Sequence, residues 1–193
     1  MSALKLVVLG STRGTNMQAI IDEIESNSLN AEINLVISNK QDAIILEKAK
    51  NHNINNIFIS AKGLSRKEYD AKVITEIQKH NPDLILLIGY MRIISEDFVN
   101  AYRGKILNVH PSLLPKHPAL MDLAVHQAVL DASDTQTGCT IHQVSEIVDG
   151  GQIVLQLKCD VDKNDTVETL KTKVQGLEKQ AWIDVIKNWK KES

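Results

Sequence analysis

The chain has 193 residues, of which 43% are apolar and 24% are charged. Since a domain takes roughly 150 residues, this length and composition predict one globular domain over residues 1–193 and exclude a disordered or collagen-like protein. The 22 Lys and Arg residues against 24 Asp and Glu residues give a net charge of −2, which argues against nonspecific nucleic-acid binding, because such binding needs a surplus of positive charge.

Short apolar runs in the first part of the chain predict β-strands. They are Leu4 to Leu9, Ile33 to Ile37, Ile54 to Ile59, Leu84 to Ile88 and Ile106 to Val109. Between the first four runs, apolar residues recur at helical spacing, at Ile20, Ile21 and Ile24, at Ile44, Ile45 and Ala49, and at Tyr69, Val73, Ile74 and Ile77. Because the strand runs are apolar throughout rather than alternating, they indicate a parallel sheet that is covered on both faces.

Several helix starts are marked by side chains that accept hydrogen bonds from first-turn amides. Ser65 and Glu68 form a predicted capping box, and Ser95 precedes a short acidic turn. Asp165 stands three residues before Glu168, at the head of the last predicted helix.

The end of the chain predicts two further strands and a long helix. The strands, Gly138 to Val144 and Gln152 to Val161, are separated by a turn at Asp149-Gly150-Gly151, so we expect them to pair antiparallel. The helix carries one apolar stripe, formed by Val167, Leu170, Val174, Leu177, Ala181, Val185 and Trp189. The predicted fold class is α/β, with a Rossmann-like, mostly parallel sheet, helices on both faces and an antiparallel C-terminal edge.

The loop from Gly10 to Asn16 follows the first strand and opens a helix. Its glycines, Gly10 and Gly14, let the backbone approach a ligand, and free N–H groups at a helix start favour an anion such as phosphate. The alternative is a plain turn in which Thr15 and Gln18 form a capping box. A dinucleotide cofactor is disfavoured, because the spacing is not G-x-G-x-x-G and no acidic residue ends the second strand.

Asn108 and His110 stand at the end of the fifth predicted strand. Alternate side chains of a strand share a face, so these two point the same way while Val109 points into the opposite layer. Pro111 ends the strand just beyond the pair. An amide and an imidazole thus lie side by side at the C-terminal edge of a parallel sheet, where such folds place their sites. The alternative is a structural histidine beside a proline-fixed loop.

Three further features allow both a structural and a functional interpretation. Asp149-Gly150 is either an ordinary hairpin turn, for which Asp-Gly is a common signal, or a turn whose Asp149 carboxylate reaches His110. The segment Gly89 to Ile94 either lines a slot for a flat heterocycle or belongs to the core. Arg66 either binds phosphate through its rigid fork of donors or is solvated, like most surface arginines.

Four short segments form a pattern that extends over almost the whole chain. They are Asn108-Val109-His110-Pro111-Ser112-Leu113-Leu114-Pro115, Asp149-Gly150-Gly151, Gly14-Thr15-Asn16 and Met91-Arg92-Ile93-Ile94. Together they resemble the phosphoribosylglycinamide formyltransferase family, folate-dependent enzymes of purine synthesis within the wider formyltransferase superfamily. The first segment is specific for the superfamily, and the short length and the Gly14 loop point to this family within it.

The resemblance implies a role for each matching residue. It makes Asn108, His110 and Asp149 the catalytic residues. It assigns the substrate phosphate to Gly14, Thr15, Asn16 and Arg66, and the glycinamide amine to Glu178 with the preceding residues 175–177. It assigns the folate heterocycle to Met91, Arg92, Ile93 and Ile94 and to the loop residues Ser145, Glu146, Ile147 and Val148. It also implies a cis bond at Leu114-Pro115, 10-formyltetrahydrofolate as co-substrate, and no metal.

The chemistry of formyl transfer explains why such a trio is needed. An amine attacks the formyl carbon, and the carbonyl oxygen gains negative charge in a tetrahedral intermediate. Asn108 and a protonated His110 both donate hydrogen bonds to such an oxygen. We expect Asp149 to favour the charged form of His110 and to take the amine proton through a water molecule.

The chain departs from the family pattern at a few positions. Ala119 and Met121 stand where many members have a glycine and a histidine. Arg13 lies in a loop where small residues are usual, and Lys179 follows Glu178 where a histidine is frequent. These departures affect the geometry of the loop after Pro115 and the assignment of the last helix to substrate contact.

Other function classes share parts of the pattern. Methionyl-tRNA formyltransferase has the same Asn-x-His-Pro-Ser motif, but a tRNA reader should add a basic domain. A formyltetrahydrofolate hydrolase shares the trio, with water as acceptor, and normally has an additional regulatory domain. A non-catalytic nucleotide-binding module is the remaining alternative.

Cysteine spacing and the N-terminal sequence bear on the cellular compartment. Cys139 and Cys159 have no spacing typical of a zinc site or a disulfide framework, which favours a reducing compartment. The N-terminus has no cleavage-like region, and no stretch approaches the ~18 apolar residues of a membrane span. We therefore expect a cytoplasmic protein that acts on small molecules and contacts neither membrane nor nucleic acid, with an oligomeric state that the sequence leaves open.

Overall fold

The computed structural model describes residues 2–190, in which six helices surround a seven-stranded sheet. The strands are β1 (Leu4–Leu9), β2 (Ala31–Ser38), β3 (Asn56–Phe58), β4 (Leu84–Leu87), β5 (Ile106–His110), β6 (Gln136–Gln143) and β7 (Ile153–Asp160). The helices are α1 (Thr15–Glu25), α2 (Ile44–Asn51), α3 (Arg66–Gln78), α4 (Glu96–Ala101), α5 (Leu123–Asp131) and α6 (Val167–Asn188).

The order of the strands in the sheet is β3-β2-β1-β4-β5-β6-β7. The first five strands of the chain pair in parallel, whereas β6 pairs antiparallel with both β5 and β7. The predicted α/β fold, with a mostly parallel sheet and an antiparallel C-terminal edge, is confirmed.

Apolar side chains form a separate hydrophobic layer on each face of the sheet. Leu6 and Val8 lie in one layer with residues of α1, α2 and α6, which we call the α1/α6 layer. Val7 and Leu9 lie in the other with residues of α3 and α4, which we call the α3/α4 layer. Because helices cover both faces, successive residues of a central strand are all apolar, as the sequence indicated.

The third strand is shorter than predicted. The sequence indicated Ile54 to Ile59, but only Asn56–Phe58 pair with β2. The amide of Ile54 instead donates to the Ala49 carbonyl and closes the end of α2. β3 is an edge strand, so one neighbour alone fixes its length.

Two helix starts differ from the sequence prediction. α1 begins after Gly14, which has a φ of 65° that suits glycine and no side chain to cap the helix, so the alternative Thr15 capping box does not form. α6 is capped by Thr166, which forms a capping box with Thr169, whereas Asp165 accepts a hydrogen bond from the Asp162 amide.

The other predicted caps are confirmed. Ser65 and Glu68 form a capping box at α3, and the Ser95 side chain accepts a hydrogen bond from the Phe98 amide at α4. In α6 the predicted stripe is buried at Leu170, Val174, Ala181 and Val185, and Trp182 and Ile186 are buried as well. The buried face is wider than predicted because α6 packs against both α1 and the β6–β7 pair.

The loops at the carboxyl edge of the parallel strands meet between β1 and β4. The strand order reverses here, since β2 lies on one side of β1 and β4 on the other. The Ser11 amide donates to the Gly89 carbonyl, and the Ser11 side chain accepts from the Met91 amide. In open α/β sheets this switch point is where ligands bind.

Candidate active site

The end of β5 presents Asn108 and His110 on one face of the sheet. Leu107 and Val109 point to the opposite face and lie in or against the α1/α6 layer. His110 is almost completely buried, with only 3% of the residue exposed. The strand stops at Pro111, and the peptide bond between Leu114 and Pro115 is cis, as the family resemblance implies.

Asp149 reaches this pair from the loop that connects β6 and β7. Its Oδ2 lies 3.2 Å from Nδ1 of His110 and accepts a hydrogen bond of 2.8 Å from the Ala119 amide. Its Oδ1 lies 3.4 Å from Nε2 of His142. The structure thus brings together the three side chains that the resemblance marks as catalytic, and only 8% of the Asp149 side chain is exposed.

His142 belongs to the same cluster, although the sequence analysis did not single it out. It is the cross-strand partner of Asn108 in the antiparallel pairing of β5 with β6. Its Nε2 lies 3.2 Å from Nδ2 of Asn108, and its Nδ1 lies 3.0 Å from the carbonyl oxygen of Gln143. The signal was a polar residue within a buried strand, but only the register of the pairing places it opposite Asn108.

Both ring nitrogens of His110 face oxygen atoms. Nδ1 faces Asp149, and Nε2 lies 2.9 Å from the carbonyl oxygen of His117. Burial lowers the pKa of His110, and this effect outweighs the opposing influence of the Asp149 carboxylate and the His117 carbonyl. The Asp149 carboxylate raises the pKa of His110, as we expected, but burial is the larger effect in this site and favours the neutral ring.

For the pKa of Asp149, the effects that oppose burial are the larger ones. Burial raises the pKa of this carboxyl, but its contact with His142, the hydrogen bond from the Ala119 amide and the proximity of His110 together outweigh burial, so the pKa lies below its ordinary value. The group is therefore an ionised carboxylate at neutral pH. Among the residues that the structure describes, it is the one acidic side chain that contacts both His110 and His142.

The residues that the resemblance assigns to phosphate and amine lie partly together. Gly14, Thr15 and Asn16 form the start of α1, and the Asn16 side chain donates a hydrogen bond of 2.9 Å to Glu178 on α6. Burial raises the pKa of Glu178, although the Asn16 bond opposes this. Arg66 begins α3 on the other face of the sheet, where its charge acts on Asp70.

Four of the eight residues assigned to folate present exposed apolar side chains. These are Met91, Ile93, Ile147 and Val148, which are between 43% and 71% exposed. Met91 and Ile93 follow β4, and Ile147 and Val148 lie between β6 and β7, so these two segments offer apolar surface to a ligand or partner.

The other four folate-assigned residues are directed elsewhere. Ile94 is buried in the α3/α4 layer, and the guanidinium of Arg92 lies 4.3 Å above the Tyr69 ring. Glu146 forms an ion pair of 2.6 Å with Arg103, and the Ser145 hydroxyl donates to the Ile147 carbonyl. The side chains of Ser145 and Glu146 therefore hold the loop rather than a ligand.

The loop after Pro115 lies directly over the catalytic residues. His117, Ala119 and Asp122 all have positive φ angles, between 52° and 58°. Ala119 thus adopts a conformation that favours glycine, the residue that many family members have there. The His117 ring is held by Asp134 at 2.8 Å, while Met121 is 59% exposed.

Residues 2–190 show neither a metal-ion cluster nor a membrane-spanning helix. No group of three or more His, Cys, Asp or Glu side chains in this range is arranged to hold a metal ion. No helix in the same range is long and apolar enough to cross a membrane.

Comparison with known proteins gave matches along almost the entire chain. The family model described as Formyl transferase matches residues 4–186. Phosphoribosylglycinamide formyltransferase of Escherichia coli (strain K12) is 40% identical over 176 residues, which are 91% of this chain and 82% of that protein. The enzyme of the same name from Haemophilus influenzae is 41% identical over 184 residues, 95% of this chain and 85% of that protein.

Solved structures agree with these sequence matches. The crystal structure of glycinamide ribonucleotide transformylase 1 from Symbiobacterium toebii is 34% identical and has a TM-score of 0.90, over 96% of this chain and 86% of that one. The phosphoribosylglycinamide formyltransferase of Coxiella burnetii, solved in complex with CHES, is 37% identical and has a TM-score of 0.91 over the same fractions.

Proposed function

This chain belongs to the formyl transferase family, and we propose that it transfers the formyl group of 10-formyltetrahydrofolate to the amine of phosphoribosylglycinamide at the site around Asn108, His110 and Asp149. This reaction is a step of purine biosynthesis. The observation that carries the proposal is the buried contact of His110 with Asp149 beside Asn108, at the carboxyl edge of the parallel strands and one strand from the switch point.

The two substrates approach the trio from different sides of the edge. The first-turn amides of α1 suit the substrate phosphate, since a helix start attracts anions. Glu178, held by Asn16, orients the glycinamide amine. The exposed apolar side chains Met91 and Ile147, with Ile93 and Val148, cover the folate heterocycle.

Asn108 stabilises the charge that develops in the transition state. When the amine attacks the formyl carbon, the carbonyl oxygen takes the electron pair of the broken π bond. An amide N–H of Asn108 donates to this oxygen, and a donor of this kind lowers the barrier by about 3 to 4 kcal/mol. No titration is needed for this role, because an amide does not ionise in the working pH range.

His110 and Asp149 move the proton. The attacking amine becomes an ammonium in the intermediate, and its proton passes through water to the ionised Asp149 carboxylate and the neutral His110 beside it. The same pair returns this proton to N10 of the folate as the carbon–nitrogen bond breaks. The carboxylate and the neutral ring are then restored, so the pair undergoes no net change.

The test is an assay of the purified protein with 10-formyltetrahydrofolate, with and without phosphoribosylglycinamide, in which absorbance reports the release of tetrahydrofolate. We expect release only when the acceptor is present. In the same assay Asp149→Asn should lower kcat by about 10²-fold or more, with KM changed little, because its role lies in the transition state.

The other outcomes assign other functions. Release without acceptor would identify a hydrolase, and no release in either mixture would favour a non-catalytic nucleotide-binding module. Unchanged kcat in Asp149→Asn, with proper folding shown by circular dichroism, would remove Asp149 from the mechanism.

The finer assignments of compartment and partners are also part of this proposal. Both cysteines, Cys139 and Cys159, are free thiols, which suits a reducing cytoplasm. The two substrates are small molecules, and the near-zero net charge gives no support to nucleic-acid binding.

A further inference from the structure

Building on the proposed formyl transfer, we propose that His142 is a positioning residue for Asn108. Its neutral ring, with the proton on Nδ1, holds the Asn108 amide in the orientation that leaves one N–H free for the formyl oxygen. His142 itself does not touch the reacting atoms in this arrangement. It acts through the amide that lies beside it.

The surroundings of His142 select one tautomer. Nδ1 lies 3.0 Å from the backbone carbonyl of Gln143, and a carbonyl oxygen only accepts hydrogen bonds. The proton of the neutral ring therefore resides on Nδ1. Nε2 is left with a lone pair that accepts a hydrogen bond.

That lone pair fixes the Asn108 amide. Nδ2 of Asn108 lies 3.2 Å from Nε2 of His142, because the two residues are direct cross-strand partners. One N–H of the amide donates to the ring, and the second N–H of the same nitrogen remains for substrate. The torsion at the end of an asparagine side chain is broad and nearly two-fold, so without this bond the amide turns over easily. The turned amide presents Oδ1, which repels a developing oxyanion.

Asp149 does not compete for this arrangement. Its Oδ1 is 3.4 Å from Nε2 of His142, longer than the contact with Asn108, while its Oδ2 accepts from the Ala119 amide and faces His110. A second proton on His142 would place a ring N–H against the N–H groups of Asn108. Only the neutral ring is therefore compatible with the observed position of the amide.

The ring protonation state is tested by 15N NMR of the wild-type protein at neutral pH. We expect the His142 signals to show a protonated Nδ1 and an unprotonated Nε2. Signals of the opposite tautomer, or of a doubly protonated ring, would overturn the inference whether or not the protein transfers formyl groups.

The catalytic effect is tested with two substitutions of different chemistry. His142→Leu removes the acceptor, and we expect kcat to fall by about 10²-fold, the effect of losing one oxyanion donor, with KM changed by no more than about threefold. His142→Gln places an amide oxygen near the position of Nε2, and we expect kcat to remain within about tenfold of wild type. Equal losses in both variants would indicate a merely structural role and would contradict the inference.

A double-mutant cycle shows through which group His142 acts. If it acts through Asn108, then Asn108→Ala combined with His142→Leu should be no slower than Asn108→Ala alone, within about threefold. If the kcat losses of the two single variants multiply in the double variant, His142 does not act through Asn108. His52→Gln is the matched control, since His52 also bridges two polar side chains, Gln18 and Glu25, but lies outside the site. Its kcat should equal that of wild type.

These outcomes separate this inference from the proposed function. Failure of the wild-type protein to release tetrahydrofolate with the acceptor present would remove the function. An active wild-type protein whose His142→Leu variant is folded and equally fast would remove the positioning role alone.

Discussion

Three of the six histidines, His110, His126 and His142, have almost no contact with water. His110 and His142 each lie between polar partners in the candidate site. His126 lies within α5, and none of the described residues bonds to its Nδ1. A buried polar atom without a partner costs about 1 to 3 kcal/mol of folding free energy. His126 is therefore a source of instability that the fold tolerates.

The pH dependence of stability follows from the burial of His126. Burial and the charge of Lys171 lower its pKa below the ordinary 6.5, and Asp122 opposes them only in part. The unfolded chain then binds a proton more readily than the folded one, so stability falls as the pH falls below about 6.5. We expect His126→Leu to lose less unfolding free energy than wild type between pH 7.5 and 5.5.

The measurement is urea unfolding of both proteins at the two pH values. Leucine also changes packing, so the comparison uses the difference between the two pH values rather than the absolute stability. The difference should shrink but not vanish, because His110 also has a lowered pKa. An unchanged difference would show that His126 does not contribute.

At the scale of the elements, β6 lies so close to β7 that one position accepts only glycine. A Cβ on Gly138 would lie 2.0 Å from the carbonyl oxygen of Leu157 and 2.8 Å from Cα of Lys158, both backbone atoms of β7. The strands must move apart to relieve this overlap. We expect Gly138→Ala to lower the free energy of unfolding by about 1 to 3 kcal/mol, the usual cost of overpacking.

Gly176 in the exposed face of α6 is the matched control. Apart from the adjacent residues and the helix's own backbone, no atom of the described residues lies within 4 Å of a Cβ built there, and alanine favours a helix over glycine by about 0.5 to 1 kcal/mol. Gly176→Ala should therefore raise stability while Gly138→Ala lowers it, as measured by urea unfolding. If both changes have the same sign, the close approach of β6 and β7 is not the cause.

The elements also show what the sequence was able to predict. Leu4 to Leu9 and Ile106 to Val109 match β1 and β5 to within one residue, because both faces of these strands are covered and, apart from the exposed Lys5, every residue is apolar or site-forming. Asn108 and His110 were recognisable because they alternate on a single strand. The length of the edge strand β3 and the capping residue of α6 could not be predicted, since both depend on contacts with neighbouring residues.

The part of the site that the sequence analysis missed depends on pairing between distant segments. His142 lies 34 positions after Asn108, and only the register of β5 with β6 makes them partners. The sequence also left the working pKa of His110 open, because it shows the nearby carboxylate but not the depth of burial. Register and burial are properties of the folded chain.

For the whole molecule, the sheet separates two hydrophobic layers, and the residues assigned to the substrates lie on both sides of it. Of those assigned to the glycinamide substrate, Asn16 and Glu178 lie on α1 and α6, whereas Arg66 begins α3 on the opposite face. The folate-assigned segment after β4 leads into the α3/α4 layer through Ile94. Both layers therefore support residues of the proposed site, so both must be intact for the substrates to meet.

We propose that residues 1–193 form a single domain. Because the two layers contain different aromatic residues, their unfolding can be followed separately by tryptophan and tyrosine signals. Both tryptophans, Trp182 and Trp189, lie in or against the α1/α6 layer, and all three tyrosines, Tyr69, Tyr90 and Tyr102, lie in or against the α3/α4 layer. Because the layers share the central strands β1 and β4, one cannot lose its support without the other. We expect tryptophan fluorescence and tyrosine absorbance to give the same urea midpoint, as a cooperative domain requires. Separate midpoints would instead mean that the two faces unfold as independent units.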